Sequence, residues 1–408
     1  MISIEEARRI ILSHSQRLGA EEVPILHSLG RIAAEDAFAP WDIPAADHSA
    51  MDGYAFAHAD AAAGSLTICG FLPAGETRTE PVLTGCAVKI MTGAPLPPDC
   101  DTVVPQEDVE EAGGMIRFTG TVKKGDHVRC RGEDVTAGDR VISMGTCLRP
   151  QELGMLSSLG KTAVAVFRRV RVAVLSTGDE LIQPGSMPVP GKIINSNSFS
   201  IAAQVLEAGG EPVMLGIARD DREITRTKIL EGMQADVLIT TGGVSVGDRD
   251  FVREALQELG GEILFWKVAM KPGKPVAFAM VRGKAVFALP GNPVAAMVAF
   301  EQFVRPSLLK MMGHSRIFRP IVRGTLAEPA ANRGNRPHLV RCAVELAEGR
   351  YVVSVTGNQS SARLSSLTSC NGLLKLPPDS LLAAGVEVDV QLLDRHFEMG
   401  EGPSEADR

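Results

Sequence analysis

The stretch Val237-Leu238-Ile239-Thr240-Thr241-Gly242-Gly243-Val244-Ser245-Val246-Gly247-Asp248-Arg249-Asp250 decides the reading of this chain. A β-branched apolar run gives way to small residues, then to two carboxylates, and a helical pattern opens at Phe251. That order predicts a parallel strand ending in a loop at the carboxyl edge of a sheet, where open α/β folds bind ligands. Gly242, Gly243 and Gly247 let backbone amides approach an anion closely, and Thr240, Thr241 and Ser245 add hydroxyl donors. Asp248 and Asp250 would repel that anion unless a hard cation sits between them. The loop reads as a site for phosphate and magnesium.

The same rhythm extends on both sides of this loop. Strands are expected at 170–175, 213–217, 263–268, 276–280 and 285–289, and helices at Asn197–Glu207, 222–233, 251–259 and 294–311. Such alternation implies a mostly parallel sheet covered on both faces. Near the N-terminus, Ser3 and Glu6 have capping-box spacing, and Ala7, Ile10, Ile11 and Leu18 mark one helical face. From Trp41 to about Arg149 the texture is β-rich, with short strands at 67–71, 87–91 and 115–119 punctuated by Gly and Pro. Pro150 opens a short helix. After Gly313 the chain returns to β at 321–326, 339–346, 351–356 and 386–393, and it ends in a polar segment, 399–408.

Composition narrows the class of function. The 408 residues are 45% hydrophobic and 22% charged, which is the profile of a folded chain long enough for several domains. A net charge of -7 argues against a general nucleic-acid surface, and 4% aromatic residues against base-stacking platforms. No signal-peptide pattern or bilayer-length apolar run is present, so no membrane role is expected. The seven cysteines form no CxxC pair and the eight histidines no HxxxH pair. A reduced, cytoplasmic protein without a cysteine zinc site is the expectation.

Further loops carry candidate chemistry. Leu175-Ser176-Thr177-Gly178-Asp179-Glu180 follows the first strand of the α/β region, and Asp179 and Glu180 could hold Mg²⁺ or simply cap a turn. Arg219-Asp220-Asp221 ends the next strand, with Asp221 equally suited to capping the helix at Arg222. Lys271 and Lys274 stand in a proline-bounded turn suited to an oxyanion, against the alternative of a solubilising surface turn. Leu289-Pro290-Gly291-Asn292-Pro293 is by itself an ordinary strand–helix connector with Pro at the first helical position. In the β-rich region, residues 49–55, 91–97, 105–108 and 131–134 are turn segments with acids, denser than turn chemistry alone requires.

Residues 49–55, 91–97, 131–135, 176–181, 241–250, 271–275 and 290–293 together resemble the MoeA/gephyrin E-domain family of molybdopterin molybdenumtransferases, in order and over about 3–395. Two departures stand out: Asp248 where a Glu is common, and Ala362 where a second family Ser often sits. The resemblance implies a fold of α/β plus β class in four parts. A helical segment (1–40 with 145–168) carries an inserted β-rich module (41–144). A MogA-like α/β domain with a mostly parallel sheet follows (169–313), then a C-terminal β-barrel (318–396) and a flexible tail (397–408). It implies an enzyme that inserts molybdate into adenylyl-molybdopterin with Mg²⁺, releasing AMP and the molybdenum cofactor. It also implies a homodimer, with the cleft between the α/β domain of one subunit and the β-rich module of the other, and contact with the molybdopterin adenylyltransferase and apo-molybdoenzymes.

Carried over by motif, Asp52, Thr92, Glu180, Asp220 and Asp250 match catalytic positions, and Glu180, Asp220 and Asp250 would hold the metal. Thr241, Gly242, Gly243, Ser245, Gly247, Asp248, Pro290, Gly291 and Pro293 would bind substrate, and Lys271, Lys274, Arg341 and Ser361 molybdate. Three alternatives compete with this reading. They are an adenylyltransferase sharing the α/β unit, a gephyrin-like scaffold, and a magnesium-dependent nucleotide hydrolase. The absence of GxxxxGK[ST] removes the P-loop form of the last.

Overall fold

The computed structural model describes residues 1–187, 189–244 and 251–394. Two compact units are present, one formed by Met1–Glu21 with Val166–Arg408 and the other by Glu22–Ala165. This is a coarser division than the four parts expected from sequence.

Helix α1 (Ile4–His14) begins as its capping box predicts, with Ser3 Oγ accepting from the Glu6 N–H at 3.0 Å. Its buried face, Ile4, Ala7 and Ile11, enters the larger core of its own unit.

The Glu22–Ala165 unit is built on a mixed six-stranded sheet. Its strands are β1 (Gly53–Phe56), β2 (Ser65–Leu72), β3 (Cys86–Ile90), β4 (Thr102–Pro105), β5 (Val109–Ala112) and β6 (Met115–Phe118), in the order β4-β1-β3-β2-β6-β5. Alternation along β1 separates two cores: Tyr54 and Phe56 pack with Leu66, Ala87 and Ile116, and Ala55 packs oppositely with Val88 and Val103. Helix α2 (Pro150–Ser158) starts on its proline, which has no N–H to leave unpaired.

The α/β body of the other unit contains β7 (Arg171–Thr177), α3 (Asn197–Glu207), β8 (Glu211–Ala218), α4 (Arg222–Gly232), β9 (Val237–Thr241), α5 (Phe251–Glu258), β10 (Glu262–Phe265), β11 (Ala277–Val281) and β12 (Lys284–Leu289). The sheet order is β8-β7-β9-β12-β11-β10, with the first four strands parallel to one another and β11 alone reversed, so that it pairs antiparallel with both β12 and β10. All five residues of β9 are buried, as a central strand covered on both faces requires. Val172, Val174, Val237, Ile239 and Phe287 face one core, and Ala173, Leu175, Leu238 and Val286 the other. The register pairs Thr177 with Ala218, Ser176 with Thr241, and Thr241 with Leu289. Four parallel strands therefore end level, and the loops that follow them share one edge.

The run 294–311 is not the single α-helix its apolar pattern suggested. It divides into α6 (Pro293–Ala299), a π-helical turn (Phe300–Val304) and α7 (Arg305–Met311). Pro306 has no N–H to donate to Gln302 four residues earlier, so the turn widens. The freed Gln302 carbonyl accepts from Arg8 Nε at 3.2 Å.

The C-terminal part closes a five-stranded barrel from β13 (Ile321–Leu326), β14 (His338–Ala347), β15 (Arg350–Val355), β16 (Gly372–Leu376) and β17 (Glu387–Leu392), in the order β13-β15-β14-β16-β17. Strand β16 was absent from the sequence expectation because Leu373 and Leu374 are buried on opposite faces, so no period-2 alternation appears. Among the described residues, no helix is long and apolar enough to cross a membrane.

Candidate functional site: an acidic cleft and a basic pocket

The strand ends are fixed by a buried hydroxyl network. Ser176 Oγ lies 2.8 Å from both Ser198 Oγ and Thr241 Oγ1 and 3.0 Å from Asn195 Oδ1, joining β7, β9 and the start of α3. Asn195 Nδ2 donates to Ser198 Oγ, so the amide serves the network at both its atoms. Gly242 follows with φ 88°, and a Cβ there would lie 2.6 Å from the Thr177 carbonyl oxygen. Only glycine brings the backbone this close.

Above these ends opens a cleft of about 640 Å³ lined by Thr177, Glu180, Asp220, Thr241, Gly242, Gly243, Pro290 and Gly291. The Asp220 N–H donates to Asp179 Oδ1 at 3.2 Å, and Arg219 is engaged with the carbonyls of Asp179 and Leu181. The Glu180 and Asp220 carboxylates have no hydrogen-bond or ion-pair partner among the described residues. Asp221 is the N-cap of α4, accepting from the Ile224 N–H at 2.8 Å, which favours the capping role over a metal role. No group of three acids, histidines or cysteines fit to hold a metal occurs among the described residues. The third expected ligand, Asp250, lies outside them, as do Ser245, Gly247 and Asp248.

A second pocket of about 620 Å³ holds Lys271, Lys274, Arg336 and Ser361, and shares Pro290 and Asn292 with the cleft. Ser361 Oγ accepts from Asn292 Nδ2 at 3.0 Å, and its carbonyl accepts from the Val294 N–H, fastening the barrel loop to the start of α6. Pro293 opens that helix, as its sequence position predicted. Arg341 is fully buried beneath the loop, with Nη2 donating to the carbonyls of Asn358 and Ser360. Its Nε and Nη1 have no partner among the described residues, and burial lowers the guanidinium's affinity for its proton.

Asp52 and Thr92 belong to the Glu22–Ala165 unit. Asp52 Oδ1 accepts from the Thr92 N–H at 2.7 Å and from its hydroxyl at 2.8 Å. These bonds hold the Asp52 carboxyl below the usual carboxylate range. A Cβ on neighbouring Gly53 would stand 2.0 Å from the Val104 carbonyl oxygen, so the start of β1 also needs glycine.

Sequence reasoning missed Arg336 and Asn292. Arg336 Nη1 donates to the Met270 carbonyl at 3.0 Å, which places the residue beside the lysines. Its only local signal is a Gly- and Asn-rich turn ending in Pro337. Asn292 was quoted only as part of a connector, and its shared position became visible when the two pockets were.

Three family descriptions match in succession: "MoeA N-terminal region (domain I and II)" over residues 2–160, "Probable molybdopterin binding domain" over 173–310, and "MoeA C-terminal region (domain IV)" over 323–393. A molybdopterin molybdenumtransferase 2 of Mycobacterium tuberculosis is 35% identical, covering 96% of this chain and 99% of its own. A molybdopterin molybdenumtransferase of Haemophilus influenzae is 38% identical over 78% of this chain and 80% of its own. The crystal structure of a molybdopterin biosynthesis moea protein from Pyrococcus horikosii superposes with a TM-score of 0.85 at 32% identity, covering 97% of this chain and all of that one. Matched by three successive MoeA family descriptions and by relatives 35% and 38% identical over most of its length, the chain belongs to the MoeA family of molybdopterin molybdenumtransferases.

Proposed function

We propose that the chain inserts molybdate into adenylyl-molybdopterin, releasing AMP and the molybdenum cofactor. Membership of the family makes it a transferase of molybdenum cofactor biosynthesis. The observation that carries the residue-level reading is the placing of unpaired carboxylates and lysines on two sides of one loop, 290–292. A substrate with a phosphoanhydride and a co-substrate that is a tetrahedral dianion need those two environments side by side.

Lys271 and Lys274 gather the dianion as point charges, with Ser361 as a hydroxyl donor and Arg341 holding the pocket wall. Gly242, Gly243 and Gly291 admit the substrate close to the backbone, and Thr241 and Pro290 line its path. Ser245, Gly247 and Asp248, which lie outside the described residues, belong to the substrate-binding set in our assignment. The unpaired Glu180 and Asp220 fit a hard cation, and with Asp250 they would hold Mg²⁺. Such a cation supplies charge neutralisation at the phosphoanhydride. Asp52 and Thr92 act as a pre-formed pair on the β-rich module, which in our reading reaches the cleft of a second subunit in a homodimer. The four-part division, a cytoplasmic setting, and hand-over from the adenylyltransferase to apo-molybdoenzymes belong to the same proposal.

Purified protein with adenylyl-molybdopterin, Mg²⁺ and molybdate tests this directly by following AMP and active cofactor together. AMP release that requires molybdate and tracks cofactor formation is the expected result. AMP release indifferent to molybdate would identify a nucleotide hydrolase instead. Asp250→Ala should abolish insertion with an unchanged melting temperature, and unaltered turnover would sink its metal role.

A further inference from the structure

Two polar atoms in the acidic cleft are buried and have no partner among the described residues: Thr177 Oγ1 and Asn197 Oδ1. Neither belongs to the residues assigned above. Thr177 ends β7, is 6% exposed, and its hydroxyl sits 3.0 Å from where a Cβ on either Gly242 or Gly243 would be. Asn197 opens α3, and its Nδ2 donates to the Gly291 carbonyl at 2.7 Å. That bond fixes the orientation of the amide, because a carbonyl can only accept. Oδ1 is thus held as an acceptor without a donor.

The contrast with the neighbouring side chains is sharp. Ser176, Asn195, Ser198 and Thr241 are joined to one another by hydrogen bonds, and the one other unmet hydroxyl close by, Thr240 Oγ1, is on a residue that does not line the cleft. An unmet polar atom in such a place costs stability, so two of them at a cleft wall mark a ligand's position. Thr177 can donate or accept, so it is the acceptor held at Asn197 that limits which part of a ligand this wall faces. An amide oxygen repels a phosphate oxygen, since both only accept, and it needs an N–H or O–H.

We propose that Thr177 and Asn197 form a recognition subsite for a neutral hydrogen-bond-donor group of the substrate, the amino or amide edge of a heterocycle, and not for its phosphates. This rests on the proposed function for the identity of the ligand. Adenine and pterin rings both present such an edge, and the subsite would set which half of the substrate lies over α3.

Thr177→Val keeps the shape and removes only the hydroxyl. The free variant should melt a few degrees higher than the parent, because a buried unpaired group has gone. It should bind AMP or a simple pterin about fivefold more weakly, the loss of one neutral hydrogen bond. Magnesium pyrophosphate, which has no such edge, should bind as before. Asn197→Ala should show the same split between the organic probes and pyrophosphate. A loss for AMP alone places the nucleotide over α3, and a loss for pterin alone places the pterin there; either supports the subsite. Equal weakening of pyrophosphate, unchanged affinity for both organic probes, or a lower melting temperature of Thr177→Val would overturn it. These are binding and melting readouts on the free protein, so they remain decisive even if molybdate-dependent AMP release fails.

Discussion

The acidic cleft and the basic pocket are separated by little more than the loop 290–292, yet they are built by opposite rules. The cleft stands on ends of parallel strands, where backbone amides, glycines and unpaired carboxylates meet. The pocket stands where the 271–275 turn meets the barrel loop 358–361, and its charges come from long side chains over a wall tied down by Arg341 and Ser361. One side is a place for a cation with its phosphates, the other for an oxyanion. A shared wall made of Pro275, Pro290 and Asn292 brings the two charge types near without letting them pair and cancel.

The largest effect should come from neutralising the cleft. Asp220→Asn and Glu180→Gln keep the shape and remove one charge each, and insertion should fall about 10²–10³-fold in each. The Mg²⁺ concentration for half-maximal rate should rise while the apparent molybdate KM stays constant. A change confined to molybdate KM would break the division of labour between the two sites.

Removing the pocket's charges should produce the converse. Lys271→Met and Lys274→Met each delete a charge-assisted donor, which corresponds to about a 10–100-fold rise in molybdate KM. The Mg²⁺ response should be unaltered, and the residual molybdate affinity should lose most of its sensitivity to ionic strength. An altered Mg²⁺ requirement in the lysine variants would mean that the two environments communicate across Pro290 and Asn292.

Much of this division was legible in the sequence because its signals are local. An apolar run broken by Gly-Gly, as at Val237 to Gly243, states both the strand and where it stops, and parallel pairing then sets Ser176, Thr241 and Leu289 side by side at one edge. The helix starts set by Ser3, Asp221 and Pro150 are likewise decided within a few residues. What the sequence did not reveal depends on partners far along the chain. The π turn before Pro306 is accommodated by Arg8, and strand β16 is buried on both sides by different cores. Arg336 joins the pocket through Met270, and Asn197 meets Gly291 only once α3 has packed. No periodicity announces such contacts.

The smallest effect concerns how the pocket keeps its charge constant. His338 opens β14 beside the lysine turn, where the Lys271 N–H donates to the Pro337 carbonyl and the Leu339 N–H to the Lys271 carbonyl. Burial, followed by the charges of Lys271 and Arg341, pushes the His338 pKa down to about 4. Between the ordinary histidine value of about 6.5 and that value, the unfolded chain holds a proton at this position that the folded chain does not. Stability should therefore decrease as pH falls from about 6.5 towards 4. His338→Gln should flatten that part of the profile in thermal melts and leave the insertion rate near pH 7 unchanged, because the imidazole it replaces is already neutral there. An unchanged slope in the variant would mean that the imidazole takes up its proton in the folded state near its usual pH. The pocket would then have a further cation beside it in mild acid, in addition to Lys271, Lys274 and Arg336, and molybdate should bind more tightly there, so a pH-independent molybdate affinity between 7 and 5 is the companion result expected of a neutral His338.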